Sequence, residues 1–428
     1  MSNAEIPHET NRNEDKDTHC TPQYQFGGPV GVASIIVFFI SLTYFTVEKC
    51  QSGRWDVLQI PRFPSTLAEY ADVNVTIGVL TWLILQCVLY TLPVGGRVEL
   101  GTLLKSCDKR LDYHLNALFV LLLNLFVLLA MSSSGINVTT LSSKLLQMTT
   151  SCVILSLLLS LILYIASYYV EKWKLNANGQ TGNMFYDWFI GRELNPRIGS
   201  LDLKYVMFRS GITGWIILNT IFVLEAQGSI TTVLCLIWLM HFIYVADYFW
   251  FEEGLIVSRD IVHEGLGFNI SLQFVMIPFT FITQSRYLQV MTYSPSLTHM
   301  ASVLLLYALG YYIYRASNSE KNNFRKNPND KNLAHLKTMP TESGRKLLIS
   351  GWWGLCRHPN YLGDLMISLS YALMTGFNHF LPYVNFLFLV MLLLDREQRD
   401  SDECQRKYGK DWNKYCQHVK YRIIPFVY

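Results

Sequence analysis

The chain has 428 residues, of which 51% are hydrophobic and only 16% are charged. Soluble domains carry about 25% charged residues, so this chain has too few charges to cover the exterior of a water-soluble fold of its length. The composition therefore excludes an ordinary globular or disordered protein and indicates a protein whose main solvent is lipid. The formal net charge of +3 favours no particular class of partner.

The hydrophobic segments predict an all-α integral membrane protein. Residues 1–28 are polar and contain no apolar run, which predicts a short disordered tail and not a signal peptide. Residues 29–428 are predicted to form one polytopic domain with about ten transmembrane helices. Apolar stretches long enough to cross about 30 Å of hydrocarbon begin near Pro29, Val75, His114, Leu145, Val206, Ile230, Leu266, Leu297, Tyr361 and Phe380.

The basic residues predict how these spans are oriented. Over the loops that the ten spans define, 28 of the 35 basic residues fall on one side of the membrane and five on the other. Because Lys and Arg concentrate in cytosolic loops, both termini are predicted to lie in the cytosol. The glycosylation sequons at Asn74 and Asn137 then lie in lumenal loops close to the membrane. Residues 315–428 hold 17 of the basic residues and are predicted to form a cytosol-facing module.

The sixth predicted span ends in a stripe of polar residues. His241, Tyr244, Asp247 and Tyr248 recur at spacings of three and four, which places them along one helix face. Ionisable groups at membrane depth cost several kcal/mol, so Tyr244 and Asp247 are predicted to be functional. The alternative is an interfacial belt of aromatic and acidic residues. For Trp250, Glu252 and Glu253 at the end of the span, the belt and a functional role explain the residue types equally well.

The loop that follows this span contains Asp260, His263 and Glu264. A histidine with two carboxylates is chemically competent to bind a metal ion. However, no second histidine lies at ligand spacing, the chain has no H-E-x-x-H motif, and its nine cysteines form no C-x-x-C pair. No metal site is predicted.

Residues 347–365 are the most distinctive segment of the chain. They contain the indole pair Trp352 and Trp353, followed by Arg357, His358, Pro359, Asn360 and Tyr361. Lys321 and Arg325 lie upstream, one helical turn apart. Downstream, Arg396, Asp400, Cys404, Tyr408 and Tyr415 are spaced so that a single helix could present them all on one face.

These side chains are suited to a nucleotide. The cations can bind phosphates, and the aromatic faces and carboxylates suit a heterocycle and a ribose. The alternative is a basic tail that binds anionic headgroups, which explains the lysines but not the tryptophan pair, Asn360 or Asp400. Because no Rossmann or P-loop fingerprint is present, a nucleotide would bind to a scaffold of membrane helices.

Two segments, residues 182–197 and 347–365, resemble the sterol reductases, a family that includes the Δ14-sterol reductases, the membrane domain of the lamin B receptor and the Δ7 and C-24(28) reductases. The residues from Lys407 to Pro425 also fit, and the similarity extends over nearly the whole chain after about residue 24. The proline at position 359 resembles the Δ14 branch of the family, because the Δ7 branch typically has Phe at this position. The segment 106–111 departs from the Asp-Gly turn usual in the family.

The resemblance implies ten membrane helices, NADPH as cofactor and a location in the endoplasmic reticulum membrane, which is continuous with the inner nuclear membrane. The tail is too short for the chromatin-binding region of lamin B receptors, so no nucleic-acid partner is expected. The implied cofactor contacts are Lys321, Arg325, Leu348, Trp353, His358, Asn360, Tyr361, Arg396, Asp400, Cys404, Gln405, Arg406, Lys407, Tyr408 and Tyr415. Lys321, Arg325 or Arg406 is expected to select NADPH by pairing with its 2′-phosphate.

An isolated sterol alkene is a poor hydride acceptor, so a reductase must first protonate it. The resemblance implies a proton delivered to C15 and hydride to C14 of a sterol that enters from the bilayer. We expect Tyr244, supported by Asp247, to deliver the proton. The other candidates are Tyr248, Glu252 and His263.

Three other functions remain open. One is a different sterol double-bond reductase, of the Δ7 or C-24(28) type. Another is a catalytically silent sterol-binding protein of the nuclear envelope. The third is a membrane methyltransferase that uses S-adenosylmethionine, because isoprenylcysteine and phospholipid methyltransferases share Arg-His-Pro-x-Tyr.

Overall fold

A computed structural model describes residues 24–61, 64–103, 109–291 and 293–428. Most of the predicted tail, including Arg12 and Lys16, therefore lies outside the described residues, as do residues 104–108 of the loop that departs from the family pattern.

The described residues are mainly helical. The first half of the chain contains α1 (Gly28–Ser52), α2 (Leu67–Tyr70), α3 (Val73–Thr91), α4 (Ala117–Ser133), α5 (Leu145–Ala166), α6 (Met184–Ile190), α7 (Leu203–Glu225) and α8 (Thr232–Trp250). The second half contains α9 (Arg259–Val262), α10 (Phe268–Phe281), α11 (Thr283–Val290), α12 (Leu297–Lys326), α13 (Trp352–Leu355), α14 (Pro359–Met374), α15 (Val384–Tyr408) and α16 (Lys410–His418).

Three short antiparallel hairpins interrupt the helices. They pair β1 (Arg97–Leu100) with β2 (Asp112–Leu115), β3 (Arg197–Ile198) with β4 (Leu201–Asp202), and β5 (Thr338–Pro340) with β6 (Lys346–Leu348). In the third hairpin Thr338 pairs with Leu348 and Pro340 with Lys346. This hairpin joins α12 to the distinctive segment 347–365.

Each of the ten predicted apolar stretches coincides with a helix. Among the residues that the structure describes, six helical segments are long and apolar enough to cross a membrane, and α4 is a shorter apolar helix. The six are Gly28–Ser52, Leu67–Thr91, Val138–Ala166, Leu203–Glu225, Thr232–Trp250 and Leu297–Lys326. The count of ten spans and the cytosolic position of both termini stay predictions.

Polar residues just outside the apolar runs fix where several helices begin. The Asp72 side chain accepts hydrogen bonds from the first amides of α3, Asp202 does the same for α7, and Ser296 for α12. Such N-caps satisfy amides that have no partner within the helix. At the other end of α1, Gly53 adopts a left-handed conformation with φ of 68° and its amide donates to the Lys49 carbonyl.

Glycines allow two pairs of helices to approach closely. A β-carbon on Gly363 of α14 would lie 2.5 Å from the amide nitrogen of Tyr314 and 2.7 Å from the carbonyl oxygen of Gly310, both on α12. A β-carbon on Gly211 of α7 would lie 2.0 Å from the carbonyl oxygen of Phe274 on α10. Small residues at such crossings are typical of packed membrane helices.

The first family-like segment, residues 182–197, packs against the loop before α10. A β-carbon on Gly191, which has φ of +92°, would lie 2.3 Å from the amide nitrogen of Gly267. Asn176 donates a hydrogen bond of 3.0 Å to the Gly191 carbonyl. Gly191 therefore serves close backbone packing.

A buried ion pair joins α7 to the end of α8. Glu252 Oε1 lies 2.9 Å from Arg209 Nη1, and both side chains are only 3% exposed. Glu252 also accepts hydrogen bonds from the Tyr205 hydroxyl at 2.6 Å and from the Ala117 amide at 2.9 Å. Because all its bonds go to other helices, Glu252 holds the scaffold together.

Candidate functional site

One continuous cavity of about 1860 Å³ runs between the helices of the second half of the chain and α1, α7 and α8 of the first half. Pockets for single small ligands measure about 300–1,000 Å³, so this cavity has room for two ligands. We call the part near hairpin β5–β6 and α16 the polar end. We call the part lined by Phe39, Trp215, Phe281 and Phe388 the aromatic end.

The polar end contains most of the predicted cofactor residues. Thirteen of the fifteen line the cavity, contributed by α12, β6, α13, α14, α15 and α16. The other two, Gln405 and Arg406, are exposed and bond to the backbone of their own neighbourhood, at Gly409 and Asp402. The structure thus brings together residues that are up to 94 positions apart, from Lys321 to Tyr415.

The helix predicted to carry the downstream residues is divided in two. Helix α15 ends at Tyr408, and Gly409 follows with φ of 53° before α16 begins. The prediction that one helix presents all five residues was therefore wrong for Tyr415, which lies on α16. Because the chain turns at Gly409, Tyr415 still faces the cavity.

Flat rings and cations face one another at the polar end. The Lys321 ammonium lies 3.5 Å from the centre of the Trp353 ring, whose nitrogen donates to the Ser317 carbonyl at 2.9 Å. The His358 and Tyr361 rings stack at 4.6 Å with an angle of 10°. This arrangement offers aromatic surfaces beside positive charge.

His358 is a neutral imidazole at physiological pH. Burial lowers its pKa to about 4, although Asp400 opposes this shift. The distance of 3.7 Å between His358 Nε2 and Asp400 Oδ2 is therefore a contact between a neutral ring and a carboxylate, not an ion pair. Asp400 is thereby left free to accept hydrogen bonds from a ligand.

Ion pairs close one wall of the polar end. Arg396 on α15 binds both oxygens of Asp260 at 2.5 and 2.7 Å. Glu264 accepts from Arg259 at 3.2 Å and from Arg399 at 2.9 Å, and His263 lies 3.6 Å from Glu403. The acidic loop considered as a metal site thus pairs with basic residues, and the described residues contain no group of three or more metal-ligating side chains.

The polar residues of α8 separate into two environments. Tyr244 and Tyr248 line the cavity, and the Tyr244 hydroxyl donates a hydrogen bond of 2.9 Å to Asp364 on α14. Asp247 lies outside the cavity lining, where it forms an ion pair with Arg315 and accepts from the Tyr311 hydroxyl at 2.8 Å. The carboxyl group that contacts Tyr244 is therefore Asp364.

Sequence reasoning missed Asp364 as a site residue. A usable signal was present, because His358, Tyr361, Asp364 and Tyr371 follow one another at spacings of three, three and seven along α14 and all line the cavity. His241, in contrast, is buried behind the cavity wall against the rings of Trp215 and Tyr371.

Helices that are long and apolar enough to cross a membrane surround this cavity, which is lined by cations at one end and by aromatic rings at the other. The sequence matches the profile described as "Ergosterol biosynthesis ERG4/ERG24 family" over residues 23–428. The chain belongs to this family of multi-pass membrane sterol reductases, and it is an oxidoreductase of sterol biosynthesis.

Curated relatives support the same family. The chain is 38% identical over 409 residues to "Delta(14)-sterol reductase TM7SF2" of Mus musculus, covering 94% of this chain and 97% of that protein. It is 36% identical to "Delta(14)-sterol reductase" of Ascobolus immersus, covering 95% and 99%. It is also 36% identical to "Delta(14)-sterol reductase LBR" of Gallus gallus, covering 96% of this chain and 65% of that longer protein.

Proposed function

We propose that this chain is a Δ14-sterol reductase that uses NADPH to reduce the C14=C15 double bond of a sterol intermediate. The proposal is carried by the continuity of the cavity, which joins the polar end to the aromatic end without a partition. The names of the curated relatives support the position of the double bond. Pro359, at the start of α14, is consistent with the Δ14 branch.

The polar end fits NADPH. Lys321 and Arg325 form no ion pair with a carboxylate among the described residues, and Asp400 is the acidic group that faces them. The buried Oδ1 of Asn360 also has no hydrogen-bond partner there. We propose that the cations hold phosphates, Asp400 a ribose hydroxyl and the His358–Tyr361 stack a ring of the cofactor. When bound, NADPH supplies the hydride.

The aromatic end supplies the acid. Tyr244 is the cavity-lining phenol with a carboxyl partner, so we propose that it gives its proton to C15 and leaves a cation at C14. The surrounding rings of Trp215, Phe281 and Tyr314 present electron-rich faces to such a cation. Asp247 stays part of the proposal as a positioning residue, because it pairs with Arg315, which lines the cavity.

We propose that the sterol enters from the bilayer between α1 and α15. Phe39 of α1 and Phe388 of α15 both line the cavity, and their ring centres are 5.8 Å apart. The asymmetry of the basic residues supports cytosolic termini, and with the family it supports a location in the endoplasmic reticulum membrane.

The test is an assay of the purified full-length protein in lipid nanodiscs with NADPH and a Δ8,14-dienol. We expect loss of the 14 double bond, observed by mass spectrometry and proton NMR, with one NADPH consumed per sterol. A Δ7-sterol and a C-24(28)-unsaturated sterol are assayed in parallel. Reduction of either one with the dienol untouched would overturn the Δ14 assignment, and no reduction of any of them would overturn the reductase proposal.

A further inference from the structure

Asp364 differs from every other carboxyl group that lines the cavity. Six carboxyl groups do so. Four of them, Glu99, Glu253, Asp260 and Glu403, have a lysine or arginine side chain within 4.0 Å, and Asp400 faces Lys321 and Arg325. In the described part of the chain, Asp364 has no such partner, and its hydrogen bond is to the Tyr244 hydroxyl at 2.9 Å.

The groups that surround Asp364 come from four helices and are almost all phenols. They are Tyr244 and Tyr248 of α8, Tyr314 of α12, Tyr371 of α14 and Arg396 of α15. Arg396 is the cation among them, and Asp260 already binds it through two oxygens. Asp364 therefore has a phenol as its hydrogen-bond partner and no cation of its own.

Asp364 is also in the right place along the cavity. It lies one helical turn beyond Tyr361 and about two turns before Tyr371 on the same face of α14. With a rise of about 1.5 Å per residue, it is roughly 5 Å along the axis from the ring stack of the polar end. C14 and C15 are bonded to each other. The proton donor and the hydride source must therefore lie close together, as Asp364 and the ring stack do.

We propose that Asp364 is the proton reservoir of the reaction and acts through Tyr244. When Asp364 is protonated, its O–H donates to the Tyr244 oxygen across the 2.9 Å contact, and the phenol O–H is free to turn toward C15. The Tyr244 O–H bond breaks as the alkene π electrons form the new C15–H bond. The Asp364 O–H bond breaks in turn and restores the phenol, which leaves a carboxylate opposite the cation at C14. Hydride transfer to C14 removes that cation, and a proton from water then restores Asp364. The inference rests on the proposed function, because it assigns a residue to the same reaction.

Asp247 is not equivalent. It lies outside the cavity lining, where it pairs with Arg315 and accepts a hydrogen bond from the Tyr311 hydroxyl. The two aspartates therefore form a matched pair of variants, Asp364→Asn and Asp247→Asn. Asp402→Asn serves as a surface control, because Asp402 bonds to Gln398 on the exposed face of α15.

The first measurement is ligand binding by the full-length protein in nanodiscs, which needs no turnover. The probes are a neutral Δ14-sterol and an analogue in which a protonated amine replaces the carbon that becomes cationic. We expect the wild-type protein to bind the amine at least about tenfold more tightly, because Asp364 can give up its proton and form an ion pair with the bound ammonium in a water-poor cavity. Asp364→Asn should lose this preference, whereas Asp247→Asn and Asp402→Asn should keep it.

The second measurement is the pH dependence of turnover. We expect Asp364→Asn to lower kcat by about 10²-fold or more, as for loss of a general acid, while the Kd for NADPH changes less than about threefold. Asp364→Glu should restore part of kcat with a displaced pH profile. A merely structural residue would lower the affinity for both sterol probes equally and leave the pH profile of the remaining activity unchanged.

Two results overturn the assignment. One is an Asp364→Asn variant that keeps the amine preference, and the other is one with the wild-type pH profile. If the wild-type protein binds both probes but reduces no dienol, the proposed function fails. The preference for the amine probe, and its loss in Asp364→Asn, still show whether Asp364 faces the position of the positive charge.

Discussion

The Lys321 ammonium lies over the Trp353 ring and also faces the cavity. Arg325 lies one turn further along α12 on the same face. Charge-assisted hydrogen bonds to a phosphate contribute about 1.5–3 kcal/mol each. We therefore expect Lys321→Ala or Arg325→Ala to raise the KM for NADPH by about 10–100-fold and to change the KM for NADH less than about threefold.

Steady-state kinetics with each cofactor at saturating sterol measure this difference. Lys410→Ala is the matched control, because Lys410 is exposed and does not line the cavity. An equal rise in KM for both cofactors would show that neither residue binds the 2′-phosphate. Because Arg406 lies outside the cavity, the structure favours the other two residues of the sequence-based hypothesis.

His358 makes stability depend on pH in a defined window. Its pKa is about 6.5 in an unfolded chain and about 4 in the folded protein, where burial disfavours the charged ring. Between these values the unfolded state binds more protons, so stability falls as the pH falls from about 6.5 to about 4 and changes no further below. The loss attributable to this residue is at most about 3 kcal/mol.

Thermal unfolding of His358→Gln and the wild-type protein, followed by tryptophan fluorescence from pH 7.5 to 4, measures this contribution. The variant should lose less of its Tm than the wild-type protein over that window. Parallel pH curves would mean that His358 does not carry a buried, neutral ring. Exposed His418 provides the control substitution, His418→Gln.

At the scale of the helices, Gly310 and Gly363 determine how α12 and α14 face the cavity. These two helices carry Lys321, Arg325, Tyr361 and Asp364, so their separation sets the geometry of both ends. A methyl group at Gly363 would come within 2.7 Å of two backbone atoms of α12, which cannot move aside as a side chain can.

We expect Gly363→Ala to destabilise the protein by about 1–3 kcal/mol and to weaken NADPH binding, because α12 and α14 must separate. Gly78→Ala is the control, since a β-carbon on Gly78 of α3 meets nothing within 4 Å. Differential scanning fluorimetry and NADPH titration measure the two effects. A Gly363→Ala variant as stable as Gly78→Ala would show that the helices are less tightly packed than described.

The helix faces show what sequence periodicity can and cannot predict. Spacings of four selected Arg396, Asp400, Cys404 and Tyr408, and all four line the cavity on α15, because residues on one helix face are fixed by the helical repeat. A similar helical spacing placed Tyr244 and Asp247 together, but side chains on one helix contact different neighbours. The partner of Tyr244 is 120 positions away on α14, and no spacing within a helix predicts which helices meet.

Across the whole molecule, hydrophobicity was the most informative signal. All ten apolar stretches are helical, because a segment in lipid must satisfy its backbone hydrogen bonds internally. The polar residues were harder to interpret from the sequence alone. The segment 182–197 is as distinctive as 347–365, yet its Gly191 and Asp187 organise backbone packing away from the cavity. A distinctive motif therefore did not by itself distinguish a scaffold from a binding site.

Glu252 shows most clearly that a polar residue can be read from the sequence as either a scaffold residue or a site residue. The sequence made it a candidate proton donor. Its carboxylate is fully engaged by Arg209, Tyr205 and the Ala117 amide, so it joins α4, α7 and the end of α8. Removing one partner of a buried ion pair leaves the other charge uncompensated, which costs about 3–5 kcal/mol. We expect Glu252→Gln to lower the Tm strongly but to leave the cavity chemistry intact.

The decisive comparison is with Asp364→Asn, because the two substitutions each replace one carboxyl group inside the fold with an amide. Glu252→Gln should yield less folded protein, but each folded molecule should keep the wild-type preference for the cationic sterol probe. Asp364→Asn should show the reverse, with a near-normal Tm and no preference. Glu342→Gln, an exposed change on hairpin β5–β6, controls for expression and handling. If Glu252→Gln lost the preference at a normal Tm, the acid would lie at the end of α8 and the roles of the two carboxyl groups would be exchanged.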